Sequence, residues 1–173
     1  VETEPPFPLD VKVGPGFDDA LRGMVDRTML QSQKWQEQQW RAVRLGMHPD
    51  LLEFEKLLIR RMAALGVPMF AHSGIRSAAE QEALFADGVT KAKGGESPHN
   101  YGMAVDVVHS VLAWNLTRRQ WDLVGHVGKE VAAARGLKLE WGGDWRFYDP
   151  AHWQLAGWRL LAGKYPFPPP PRG

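Results

Sequence analysis

The 173-residue sequence predicts an α+β fold: a small, mainly antiparallel sheet with flanking helices. Three observations carry this. Helical periodicity is clear over 49–65 and extends over 117–134. The strand candidates are few and brief. Helices and strands are mixed along one chain whose composition, 44% hydrophobic and 24% charged, is that of an ordinary globular protein.

In chain order, residues 1–16 carry Pro5, Pro6, Pro8 and Pro15 and read as an extended arm. Residues 17–45 lack Pro, hold only Gly23 as a breaker, and suit one long helix or two shorter ones packed on the domain. Residues 46–164 form the main domain. Within it, Leu51, Leu52, Phe54, Leu57, Leu58 and Met62 follow helical spacing, with Asp50 as the expected cap and Gly66 as the stop. Val67 to Ala71 is a strand candidate. Ser77 to Ala86 is a helix with Ser77 and Glu80 at capping-box spacing. Residues 89–98 are a Gly-rich loop and Met103 to Val108 is β-like. Thr117 to Ala134 is a helix closed by Gly136. Leu137 to Trp141 is β-like, and Trp153 to Leu155 is the last strand. Residues 165–173 form a Pro-rich tail whose run Pro168 to Pro171 favours polyproline II.

Composition removes several functions. The net charge of +1 gives no electrostatic reason to expect nucleic acid as a partner. No apolar stretch is long enough for a transmembrane segment. With no Cys, thiol nucleophiles, disulfides and thiolate metal sites are excluded, so any metal falls to His, Asp or Glu.

Three short segments concentrate chemistry: Ser97 to Asp106, Trp141 to Trp145, and Asp149 to Gln154. His99 and Asp106 stand seven residues apart, so one continuous strand would point them to opposite sides. A turn at Gly102 lets both meet one ion, with His152 as a third ligand from a neighbouring strand. Two imidazoles and a carboxylate suit a single catalytic Zn2+, leaving a fourth position for a water whose pKa falls to about 7. Asp149, three residues before His152 and beyond the constraint of Pro150, is placed to move a proton. Arg76 can clamp a carboxylate or stabilise an oxyanion. Glu140 is the rival base. His109 is expected outside the metal site and His126 in helix packing. His72 can line the cleft. Trp141, Trp145 and Trp153 are expected in the core.

These segments resemble the VanY-type zinc peptidases, in the pattern Ser97-x-His99-x-x-Gly102-x-Ala104-x-Asp106, then Trp141-Gly142-Gly143-Asp144-Trp145, then Asp149-x-x-His152-Trp153-Gln154. Members are D-alanyl-D-alanine carboxypeptidases and endolysin-type L-alanyl-D-glutamate endopeptidases, related in fold to lysostaphin-type peptidases and the hedgehog amino-terminal domain. The resemblance spans about Pro49 to Gln154. It implies zinc on His99, Asp106 and His152, Asp149 as general base and acid, Arg76 at the oxyanion, and Ser97 at the substrate. Gln81 and His72 complete the expected substrate contacts. The segments 76–85 and 89–97 look most like the endolysin-type enzymes. The implied activity is therefore cleavage of the L-Ala–D-Glu bond in the peptidoglycan stem peptide. D,D-carboxypeptidase activity is the alternative, and a non-catalytic zinc-containing wall-binding module is the alternative of another class. The expected place of action is the bacterial cell wall. The segment opening at Val1 shows no export signal, which leans towards phage delivery without fixing the route. Residues 1–45 are a candidate docking arm.

Overall fold

The structure is a computed structural model that describes residues 15–169. All but the last two residues of the expected 1–16 arm, and the end of the Pro-rich tail, lie outside them. The chain runs α1 (Asp18–Arg22), α2 (Arg27–Leu30), α3 (Gln33–Gln38), α4 (Pro49–Ala64), β1 (Met69–Ser73), α5 (Ala78–Ala86), β2 (Ala104–His109), α6 (Arg118–Arg135), β3 (Leu139–Trp141), β4 (His152–Leu155) and α7 (Trp158–Leu161). The four strands form one sheet in the order β1-β2-β4-β3, every neighbouring pair antiparallel.

Strand alternation gives the sheet two chemistries. One face presents Val105, Val107, Trp153, Leu155 and Trp141, all buried, to the helices α4 and α6. Phe54 of α4 meets the Trp153 indole at 4.7 Å, and Trp141 stacks on the same indole at 5.7 Å. Helix α6 comes close because it places Gly128 over Trp153, where a Cβ would lie 2.4 Å from the ring. The opposite face, at the pair Asp106 and His152, carries the polar residues.

Most helix ends follow the sequence. Ser77 and Glu80 cap α5 reciprocally, at 3.1 and 2.7 Å. Thr117 and Gln120 do the same for α6, which closes at Gly136. The cap of α4 differs from expectation. Pro49, which needs no N–H, opens the helix, so the first free amide is that of Asp50. It donates to the His48 ring at 3.1 Å, making His48 the cap and leaving Asp50 inside the first turn.

Residues 17–45 form three short helices rather than one or two. Asp26 accepts from Met29 N–H at 2.9 Å and Ser32 from Trp35 N–H at 3.1 Å, each restarting the chain. This segment clasps the main body: Trp35 Nε1 and Gln39 Nε2 both donate to the Met69 carbonyl, at 3.0 and 3.1 Å. Met24 is buried, and its carbonyl accepts from the His109 ring at 2.8 Å.

Candidate metal centre and active-site cleft

The centre is assembled where β2 begins. Ser97 caps a single 3-10 turn, Pro98–Tyr101, by accepting from His99 N–H at 3.2 Å. Gly102 ends the turn with φ +66, in the left-handed region, and a Cβ there would meet the Gly46 carbonyl oxygen at 2.8 Å. The reversal sets His99 on the turn and Asp106 on the strand, both facing one point. Asp106 pairs directly with His152 across β2 and β4.

The Asp106 carboxylate divides its oxygens between two rings. Oδ2 is 3.3 Å from His99 Nε2, and Oδ1 is 3.1 Å from His152 Nδ1. One ligand atom from each of the three residues lies within 4.8 Å of the others. The His99 Nδ1 is 2.8 Å from the Gly74 carbonyl oxygen, which only accepts, so Nδ1 carries the proton. A neutral His99 therefore turns a lone pair at a carboxylate oxygen, an arrangement that calls for a cation between them. The donor set fits a divalent metal ion, and His99, Asp106 and His152 are the residues that could hold it.

Electrostatics separates the carboxyls of this cleft. Burial pushes Asp106 up, but the adjacent His99 and His152 outweigh it and hold Asp106 well below the usual carboxylate range. Asp149 is raised instead, first by burial and then by the charge of Asp106, against the pull of His152, His99 and Arg76. His152 is lowered by burial but raised more by its hydrogen bond to Asp106 and that carboxylate's charge. Asp149 is anchored by its backbone, its N–H donating to the Gly142 carbonyl at 3.0 Å.

Around the centre is a cleft of about 550 Å3 lined by Arg76, Asp149, His72, Ser97, Trp145 and Phe147. Arg76 reaches Asp106 Oδ2 at 3.6 Å and donates to Gln81 Oε1 at 2.8 Å. Gln81 itself is fully buried and does not line the cleft. Its amide donates to the Ala92 carbonyl at 2.8 Å, so it ties Arg76 to the loop. Ser97 lines the cleft, though its hydroxyl is engaged in the turn. His72 lies against Ser73 Oγ at 2.9 Å and meets Trp114 edge-on at 4.5 Å; burial, then Arg41, lowers its proton affinity.

Other expectations shift. Trp141 and Trp153 are core residues, but Trp145 lies over His152 with ring centroids 5.2 Å apart. Its position beyond β3, in the Gly142–Asp144 turn's wake, frees it from the sheet's core face. His126 is half exposed, near Glu130 at 3.2 Å and stacked on Phe17, because it faces outward between buried Val124 and Val127. His109 lies outside the centre, buried at the end of β2. Glu140 is on β3 and accepts from Gln154 Nε2 at 2.8 Å rather than lining the cleft. Sequence reading missed Gln154, whose Oε1 is 2.9 Å from His152 Nε2. The signal was there: on a strand, residues two apart share a face.

A four-stranded antiparallel sheet flanked by helices, with two imidazoles and a carboxylate converging beside an arginine and a raised carboxyl, defines the class of metal-dependent hydrolases. A family model described as D-alanyl-D-alanine carboxypeptidase matches residues 90–155. The peptidoglycan L-alanyl-D-glutamate endopeptidase CwlK of Bacillus subtilis (strain 168) is 34% identical over 125 residues, covering 63% of this chain and 73% of that protein. The crystal structure of the Serratia marcescens L-Ala D-Glu endopeptidase ChiX superposes with a TM-score of 0.56 at 30% identity, covering 68% of this chain and 85% of the other. The chain belongs to the VanY-type D-alanyl-D-alanine carboxypeptidase family of metallopeptidases.

Proposed function

We propose that this metallopeptidase is a zinc enzyme of the bacterial cell wall that cleaves the L-Ala–D-Glu bond of the peptidoglycan stem peptide. The observation that carries the reading is the convergence of His99, Asp106 and His152 in one cleft with Asp149 and Arg76. The bond assignment rests on the likeness to two endopeptidases of that specificity, at 34% and 30% identity.

His99, Asp106 and His152 would hold the zinc. When bound, zinc supplies Lewis acidity to the scissile carbonyl and to the attacking water. The Asp149 carboxylate accepts the proton of that water as it adds to the carbonyl carbon. Its raised proton affinity makes it a better acceptor than an ordinary surface carboxylate. The Arg76 guanidinium donates to the oxygen that gains negative charge, while Gln81 holds it in direction. Asp149 then returns its proton to the departing nitrogen as the C–N bond breaks. Trp145 and Phe147 give the cleft apolar walls. Among the described residues no helix is long and apolar enough to cross a membrane.

Mass spectrometry of muropeptides after digestion tests the bond. Cleavage at L-Ala–D-Glu frees peptides that begin with D-Glu and leaves L-Ala on the glycan. Release of free D-Ala alone would instead establish the D,D-carboxypeptidase reading, which the description of the matching family model favours. Muropeptides left intact by zinc-loaded protein would support a binding module.

A further inference from the structure

His152 lies between two acceptors. Its Nδ1 faces Asp106 Oδ1 at 3.1 Å, and its Nε2 faces Gln154 Oε1 at 2.9 Å. The orientation of the Gln154 amide is dictated from its far end. There Glu140 Oε2 lies 2.8 Å away, and a carboxylate can only accept. The NH2 group of Gln154 must therefore face Glu140, and its carbonyl oxygen must face His152. Both ring nitrogens thus face acceptors, so once Nδ1 is given to a cation beside Asp106 the remaining proton, on Nε2, finds its acceptor in the Gln154 oxygen.

The fold builds this chain of contacts. His152 and Gln154 stand two apart on β4 and share a face, and Glu140 is the register partner of Gln154 on β3. Gln154 is buried, so water does not readily take over its hydrogen bonds. His99 has no comparable dependence on a side chain, since a backbone carbonyl fixes its Nδ1 proton. The two rings thus present opposite nitrogens to one point, and only His152 relies on side chains to do so.

We infer that Glu140 and Gln154 are positioning residues of the metal centre: Glu140 orients the Gln154 amide, and Gln154 accepts the Nε2 proton of His152 in the tautomer whose Nδ1 binds the ion. This rests on the reading of His99, Asp106 and His152 as ligands. Glu140→Gln would put an amide, able to donate or accept, opposite Gln154. Gln154 could then flip, donate to His152 Nε2 and drive the proton onto Nδ1, where it blocks the ligand. Gln154→Leu removes the acceptor altogether. The exchange Gln154→Glu with Glu140→Gln restores an obligate acceptor at His152 and a donor behind it.

The test uses the full chain and zinc alone, with zinc affinity measured by competition against a chromophoric chelator. Nitrogen-15 NMR of the histidine rings in the zinc-loaded protein reads which nitrogen of His152 carries the proton. The wild type should show the Nε2–H form. Glu140→Gln should admit the Nδ1–H form, and zinc affinity should fall by about 10-fold there and by about 10–100-fold in Gln154→Leu. The exchange variant should recover both towards wild type. Wild-type tautomer and zinc affinity in Glu140→Gln would overturn the inference, as would an exchange variant no better than Gln154→Leu. Glu140 is exposed and its replacement isosteric, so that variant reports even if Gln154→Leu fails to fold. Wild-type protein that held no zinc would remove the ligand reading, and the inference with it, whereas zinc held equally well by wild type and Glu140→Gln would overturn the inference alone.

Discussion

Asp106 and Asp149 are two carboxyls in one cleft whose surroundings drive them apart. Asp106, between two imidazoles, stays ionised, while Asp149, partly buried and facing the charge of Asp106, holds a proton more readily. One is suited to hold a cation and the other to carry a proton. Asp149→Ala should therefore keep its bound metal and lose about 10²–10⁴-fold in turnover, whereas His152→Ala should lose the metal itself. Metal content by atomic emission, read beside turnover on muropeptides, separates the two. A metal-replete Asp149→Ala protein with near wild-type turnover would refute the role of Asp149. At this scale the sequence was most legible where chemistry is carried by local spacing. The odd interval from His99 to Asp106 demanded a turn, and Gly102 supplies it. The environment of Trp145 was not legible, because an aromatic residue near a glycine turn fits a core and a cleft wall equally well.

Helix α5 shows how an element distant in chemistry can matter to it. Its capping box fixes the start of the helix, and one turn in, Gln81 reaches back to hold Arg76. Ser77→Ala should cost about 1 kcal/mol of stability, measurable by denaturant unfolding, through loss of the cap. Gln81→Ala should lower turnover with metal content unchanged, since the Arg76 guanidinium loses its guide and the Ala92 carbonyl loses a donor. Metal loss in that variant would contradict a role confined to Arg76. The helices α5 and α6 could be read from their caps, because Ser77 with Glu80 and Gly136 are local signals. The segment 17–45 could not. Its three short helices are set by Asp26 and Ser32 together with bonds to the distant Met69 carbonyl, which no local pattern announces.

The molecule as a whole is closed by contacts between that first segment and the sheet. His109 is the clearest: fully inside, it donates to Met24 and accepts from Val111 and Leu112 N–H groups, each at 3.1 Å. Burial, against its bond to the Met24 carbonyl, lowers its proton affinity below the ordinary 6.5. The unfolded chain takes the proton first as pH falls, so the stability from this neutral ring is complete above about 6.5 and is lost below it. The melting temperature should drop on acidification through that range, and His109→Asn should show a shallower drop. An identical pH slope in the two proteins would exclude this contribution. In the core itself, Phe54→Ala should cost about 3–5 kcal/mol, because it empties the space against Trp153 beneath the metal-facing strand.

The indole of Trp145, resting over His152, has an optical consequence. Its fluorescence should respond to whatever occupies the space between His99, Asp106 and His152. Subtracting the spectrum of Trp145→Phe would isolate that one emitter from the chain's eight tryptophans. Cobalt, with its unpaired electrons, should dim it, and a peptide entering the cleft should shift its colour, turning this wall of the cleft into a built-in gauge of occupancy.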